Sequence, residues 1–290
     1  MRIDGRTRLC GLIGNPVEHT MSPAIHNTLA EELGHNLVYS AFHVETGYLE
    51  QAIRGAYALN GLGFNVTVPY KSDVLPYLVD IDPLASKIGA VNTLVRVENG
   101  FKGYNTDMPG LYRAMCEDGV ELRDANVLIL GAGGVARAVA MMAATHGAST
   151  ITILNRTLER AEAIRDELRL LFENQCVEVF KLSDYEQLPY EDYVAIQATN
   201  VGMHPHVDDV VIENEQFYQR VKVGYDLIFN PAKTKFMKCV EQTGAKAYNG
   251  LRMLLYQGII AYELWNKCEV EGAVIDKAYQ KMKEAMGIDE

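Results

Sequence analysis

The chain has 290 residues, of which 48% are hydrophobic and 22% charged, and it carries a formal net charge of −11. That length suits two domains, and the composition fills real cores and excludes a disordered chain. The acidic balance excludes nonspecific nucleic-acid binding and anionic membrane surfaces, so small molecules are the expected partners and any anionic one must meet local positive groups.

Short apolar runs alternate with helical stretches, which predicts an α/β fold. The first strand is expected over residues 8–13. The loop Gly14-Asn-Pro-Val-Glu-His-Thr20-Met-Ser22-Pro23 then leads into a helix that starts at Pro23 with Ser22 as its cap. Further strands are expected over 38–44 and 63–68. In the second of these, alternation through Phe64, Val66 and Val68 predicts one buried face, and Pro69 stops ladder pairing before Lys71. The run thus delivers a lysine beside Asn65 and Thr67, either as a polar substrate site with one ionisable group or as an ordinary solvated lysine. After a strand over 93–98 comes Gly103-Tyr-Asn-Thr106-Asp107-Met-Pro109, where Asp107 or Thr106 is expected to cap a helix beginning near Pro109. A domain boundary is expected there.

The run Asn126-Val-Leu-Ile-Leu-Gly131-Ala132-Gly133-Gly134-Val135-Ala136 reads as a buried strand, a glycine-rich turn and a helix reaching Thr145. This order suits a dinucleotide. Gly131 makes the tight turn, Gly133 lets the backbone approach a pyrophosphate, and small Ala136 packs the helix on the strand. The pyrophosphate would lie on the free N–H groups and positive dipole end of that helix. The next strand starts at Thr150 and ends in Asn155-Arg156-Thr157-Leu-Glu159-Arg160, roughly 20 residues past the first glycine, where the ribose-reading residue belongs. No carboxylate stands at that tip. Arg156 and Arg160 could pair with a 2′-phosphate, which favours NADP over NAD. The competing readings are that Arg160 belongs to an exposed helix face with Glu159 and Glu162, and that a rotated loop presents Glu159.

Parallel strands over 177–181, 194–198 and 222–226 are expected to complete the second sheet. His204-Pro-His206 has no third ligand in a recognised spacing, so it is read as a mobile loop and no metal is expected. After Asn249-Gly250 the chain is expected to be helical to its end, with residues 251–265 a well-buried helix carrying Gln257 as an unusual polar insertion. Cys10, Cys116, Cys176, Cys239 and Cys268 are scattered, with no CxxC pair and no disulfide-like framework, as in a reducing cytosol. No basic-then-apolar leader and no membrane-length apolar run is visible, so a cytoplasmic location is expected.

Taken in order, Gly14-Asn-Pro-Val-Glu-His-Thr-Met-Ser-Pro, Asn65-Val-Thr-Val-Pro-Tyr-Lys71, Gly89-Ala-Val-Asn92-Thr, Gly103-Tyr-Asn-Thr-Asp107, Gly131-Ala-Gly-Gly, Asn155-Arg-Thr and Asn249-Gly250-Leu with Gln257 resemble the shikimate/quinate dehydrogenase family over essentially the whole chain. The resemblance implies a substrate domain of residues 1–106 completed by 250–290. It also implies a Rossmann-like NADP-binding domain over 107–249, an active-site cleft where they meet, and a monomer or homodimer. The implied reaction is reduction of 3-dehydroshikimate to shikimate, in the biosynthesis of chorismate and the aromatic amino acids.

By the same resemblance Lys71 and Asp107 are the catalytic pair. Thr20 and Ser22 hold the substrate carboxylate, and Asn65, Thr67, Asn92 and Gln257 meet the ring hydroxyls. Gly131, Ala132, Gly133, Gly134, Val135, Asn155, Arg156, Thr157, Arg160, Thr199, Leu227 and Gly250 line the cofactor. Two positions depart from the family pattern. Thr20 stands where serine is usual and keeps the hydroxyl, whereas Phe229 stands where many members have a substrate-touching tyrosine and loses one. A lost hydrogen bond to a carboxylate costs about 1.5–3 kcal/mol where nothing replaces it, so quinate or a related cyclohexane acid is an alternative substrate, with NAD or NADP. A non-catalytic NADP-binding sensor on the same fold is the alternative of another class.

Overall fold

A computed structural model describes residues 3–288 of the chain. Two compact units emerge, Met1–Gly110 with Leu254–Glu290, and Leu111–Met253. The sequence places the boundaries at 106/107 and 249/250. The chain instead passes from one unit to the other inside helices, where continuous i to i−4 bonding leaves no linker to mark the change.

In the first unit the order is β1 (Arg8–Gly14), α1 (Ser22–Glu32), β2 (Leu37–His43), α2 (Leu49–Ala58), β3 (Gly63–Val66), β4 (Asp80–Ile81), α3 (Pro83–Ile88), β5 (Thr93–Val97), β6 (Gly100–Tyr104) and α4 (Asp107–Glu117). The sheet runs β2-β1-β3-β5-β6-β4. β1 pairs in parallel with β2 and β3, while β5 is antiparallel to both β3 and β6. All four residues of β3 are buried, so both its faces are covered, in place of the single buried face that alternation predicts. Val68 lies beyond the strand and is 59% exposed. The chain turns at Thr67, whose carbonyl accepts from the Tyr70 N–H at 2.9 Å.

The second unit holds β7 (Asn126–Leu130), α5 (Gly134–Thr145), β8 (Thr150–Asn155), α6 (Leu158–Leu171), β9 (Cys176–Lys181), β10 (Tyr193–Gln197), α7 (Glu215–Tyr218), β11 (Val221–Asp226), α8 (Lys235–Gln242) and β12 (Lys246–Tyr248). The sheet order is β12-β11-β10-β7-β8-β9, parallel throughout. Numbered from the first strand of this unit, that is the doubly wound order 3-2-1-4-5-6 of a Rossmann fold, with the order reversing between β7 and β10. Residues 127–130 of β7 are each 0% exposed, as expected for a strand covered by helices on both faces.

Two helices follow, α9 (Leu251–Asn266) and α10 (Gly272–Ala285). They are separate because Lys267 adopts a left-handed φ of 52°, which a continuing helix does not allow. No helix among the described residues is long and apolar enough to cross a membrane.

α9 is anchored to the first sheet through Trp265, whose indole N–H donates to the Leu94 carbonyl at 2.9 Å. That anchorage requires Gly63, because a Cβ there would overlap the Trp265 indole and lie 2.7 Å from Leu94 O. Gly63→Ala is expected to destabilise the protein by about 1–3 kcal/mol, the usual cost of overpacking, seen as a lower urea midpoint. An unchanged midpoint would mean that the indole can shift freely.

Candidate active site

In the first unit β3, β5 and the start of α4 bring four of the expected residues into one hydrogen-bond network. Lys71 Nζ lies 2.6 Å from Asp107 Oδ2, with side chains 33% and 20% exposed. Asn92 Nδ2 donates to the other carboxylate oxygen of Asp107 at 2.9 Å. Asn92 Oδ1 accepts from the Thr106 N–H at 2.8 Å, the Thr106 hydroxyl at 3.2 Å and the Thr93 hydroxyl at 3.1 Å. Asn65 joins through its Nδ2, which donates to Asn92 O at 3.2 Å and to Thr93 Oγ1 at 3.0 Å. The carbonyl of Lys71 accepts from the Val91 N–H at 2.8 Å, which pins the lysine backbone next to the Asn92 turn.

Neither expected cap forms. Asn105 Oδ1 accepts from the N–H groups of Asp107 and Met108, so Asn105 caps α4 and the Asp107 carboxylate is left to Lys71 and Asn92. α1 begins at Ser22 itself, whose N–H donates to Thr20 Oγ1 at 3.2 Å, and Met21 takes the cap position without a side-chain bond. The Thr20 hydroxyl donates to Ser22 Oγ at 3.1 Å, pairing the two hydroxyls. Thr67 and Gln257 make no hydrogen bond to the Lys71 network. Gln257 donates to Leu254 O within α9 at 2.8 Å, and its backbone packs so closely that a Cβ on Gly110 would lie 2.6 Å from Gln257 N.

In the second unit the expected residues all lie at or after the carboxyl ends of parallel strands, where open α/β sheets bind ligands. Gly131 follows β7 with φ +116°, and a Cβ there would meet Thr199 Cγ2 at 2.8 Å, so the crossing of these two loops needs glycine. Thr199 is fixed by Gln197 Oε1, which accepts from its N–H at 2.6 Å and its hydroxyl at 2.7 Å. Gly133 precedes α5 as its N-cap, with no side-chain cap bond, and added Cβ atoms at Gly133 and Gly134 would meet nothing within 4 Å. The amide end of α5 therefore faces open space, the arrangement an anion needs. Ala132 completes the turn and Val135 is 49% exposed beside it.

At the tip of β8, Asn155 Nδ2 closes the turn onto Thr157 O at 2.8 Å. Arg156 and Arg160 are exposed, and among the described residues no carboxylate pairs with either, whereas Glu162 lies 3.7 Å from Arg165. Arg156 shares an open groove of about 530 Å³ with Lys181, Ser183 and Tyr185. No sequence motif points to Lys181. Its signal is register, since it pairs with Asn155 across β8 and β9. After β11, Asp226 is wholly buried and accepts from Thr234 Oγ1 at 2.6 Å and Ile228 N at 3.0 Å; burial pushes its carboxyl up to about 6. That knot holds Leu227 against Gly250, where a Cβ would collide with the Leu227 carbonyl.

Residues 12–94 match the shikimate dehydrogenase substrate binding domain, and residues 114–222 match shikimate/quinate 5-dehydrogenase. A shikimate dehydrogenase (NADP(+)) of Carboxydothermus hydrogenoformans is 41% identical over 280 residues, covering 96% of this chain and 98% of that one. The chain belongs to the shikimate dehydrogenase family. Among solved members, the shikimate 5-dehydrogenase of Listeria monocytogenes in complex with shikimate and NAD superposes with a TM-score of 0.87 at 31% identity, covering 99% of this chain and 98% of that one. A shikimate dehydrogenase in complex with NADP+ also gives 0.87, at 37% identity, covering 100% and 98%.

His26 is 0% exposed, with both ring nitrogens lacking a hydrogen-bond partner. It is stacked on Tyr39, with centroids 4.2 Å apart and planes at 12°. Burial pushes its pKa down to about 3. The unfolded chain, with a histidine near 6.5, binds this proton far more readily. His26 therefore contributes its stability in full above about pH 6.5, and loses it as pH falls from there toward 3, at up to about 1.4 kcal/mol per pH unit. Between about pH 7 and pH 5.5, urea unfolding is expected to show a stability loss about 1 kcal/mol larger for the unaltered protein than for His26→Leu. Equal losses would show that His26 stays accessible to protons.

Proposed function

We propose that this chain catalyses the reversible, NADP-dependent reduction of 3-dehydroshikimate to shikimate in the cytoplasm. The observation that carries the reading is the contact of Lys71 with a carboxylate that Asn92 holds from its other side. Family membership supplies the substrate class. NADP, when bound, supplies or receives the hydride. A carbonyl that accepts hydride becomes an alkoxide, and Lys71 places an ammonium to stabilise that charge and to deliver a proton. Asp107 holds the ammonium in place with one oxygen while Asn92 fixes the other. Thr20 and Ser22 supply paired hydroxyls for the substrate carboxylate, and Asn65, Thr67, Asn92 and Gln257 surround the ring. The amide end of α5 takes the pyrophosphate, with Arg156 and Arg160 on the 2′-phosphate.

Absorbance at 340 nm with shikimate or quinate, each with NADP or NADP's unphosphorylated counterpart, tests this directly. Shikimate with NADP is expected to dominate, and dominant quinate turnover would instead make Thr20 and Phe229 the specificity determinants. Lys71→Ala is expected to lower kcat by about 10³-fold with the KM for NADP nearly unchanged, as for loss of a charge-stabilising proton donor. Unchanged turnover removes Lys71 from the mechanism.

Cofactor choice has its own test. Replacing Arg156 and Arg160 together with neutral residues is expected to shrink the ratio of kcat/KM for NADP over NAD by at least about tenfold, the worth of one charge-assisted hydrogen bond. If the double variant keeps its preference, the phosphate is read elsewhere, and Lys181 in the same groove becomes the residue to change.

A further inference from the structure

Each polar atom of the Asn65 side chain can be accounted for. The two Nδ2 protons go to Asn92 O and Thr93 Oγ1. Oδ1 accepts from the Tyr39 hydroxyl at 2.8 Å in a buried contact between residues 26 positions apart. A carboxamide oxygen accepts two hydrogen bonds, so Asn65 retains one lone pair and no proton for anything else. Asn92 has the opposite balance, because its oxygen meets three donors while one of its two Nδ2 protons is committed to Asp107. Asn65 can thus only accept from a ligand hydroxyl, and Asn92 can only donate.

Tyr39 is held from every side. Its ring is 2% exposed and lies on His26, and its backbone is clamped by the Asn27 carboxamide, which donates to Tyr39 O at 3.0 Å and accepts from Tyr39 N at 2.9 Å. Tyr39 itself makes no contact with Lys71 or Asp107, and its link to them runs through Asn65 and Asn92. From it we infer that Tyr39 is a positioning residue for substrate specificity: its hydroxyl aims the Asn65 carboxamide so that one acceptor lone pair meets a donating ring hydroxyl of the substrate. The inference rests on the reaction proposed above.

Tyr39→Phe removes only the hydroxyl and keeps the ring on His26. The KM for shikimate is expected to rise about tenfold, the worth of one well-placed neutral hydrogen bond, while kcat and the KM for NADP stay within about twofold. A purely packing role would not split KM from kcat in this way. The decisive comparison repeats Tyr39→Phe in an Asn65→Ala background, where an effect transmitted through Asn65 disappears. An unchanged KM in the single variant, or the same rise in both backgrounds, overturns the inference while leaving the reaction intact. Absence of shikimate turnover by the unaltered protein would instead overturn the reaction and this inference together.

Discussion

The first unit depends on one buried carboxamide. Asn92 is 3% exposed, and its oxygen gathers the backbone N–H of Thr106 and the hydroxyls of Thr106 and Thr93. A buried amide left unpaired costs about 1–3 kcal/mol, so the loop before β5 and the turn before α4 cannot move apart without exposing or orphaning it. The Asn92 nitrogen meanwhile reaches Asp107, which is in contact with Lys71. Three separate segments are thereby fixed by one side chain. Pre-organised charge of this kind is worth more at a reacting oxygen than mobile charge, because its orientation is set before the reaction begins.

The second unit depends on a different constraint, close approach of backbone. Where Gly131 crosses Thr199, and again where Gly250 crosses Leu227, there is no room for a Cβ. Gly133 and Gly134 differ, since their missing side chains border open space. The glycines of this unit therefore do two kinds of work. Some allow neighbouring loops to pack together at the carboxyl edge of the sheet, and others leave a helix terminus uncovered. The Asp226 knot belongs to the first kind, a buried carboxyl stabilised by local donors so that the loop after β11 keeps its shape.

The sequence made the α/β class and the long buried strands legible because continuous apolar runs such as 127–130 have no other economical explanation. Short strands carried too little pattern to be seen. β4 has two residues and β12 three, and both exist through pairing with β6 and β11. Caps are hard to place from sequence for a related reason. Ser22, Thr106 and Asp107 all have capping chemistry, but the choice among neighbouring oxygens depends on which one tertiary contacts have already engaged. Asp107 is taken by Lys71 and Asn92, so Asn105 caps instead. Tyr39 was illegible for the plainest reason, that its partner Asn65 lies on another strand. Motif spacing drew attention to the residues around the Lys71 network, whereas the hydrogen bonds that decide which of their atoms remain available are properties of the packed state alone.

At a net charge of −11, the two anionic ligands of the proposed reaction must be held by local groups. At physiological ionic strength the Debye length is about 8 Å, so distant carboxylates matter less than the groups in contact with the anion. What counts is whether the nearby cations are already committed. Arg165 lies 2.9 Å from Asp166 and would have to leave it to bind a phosphate, whereas Arg156 and Arg160 have no carboxylate partner among the described residues. Being exposed, their unpaired guanidinium groups cost little in the folded state. A phosphate arriving at the tip of β8 thus meets donors without breaking an ion pair first. The same reasoning applies to the amide end of α5, where no side chain caps the helix. Local availability of donors, rather than overall charge, makes an acidic protein a host for anions.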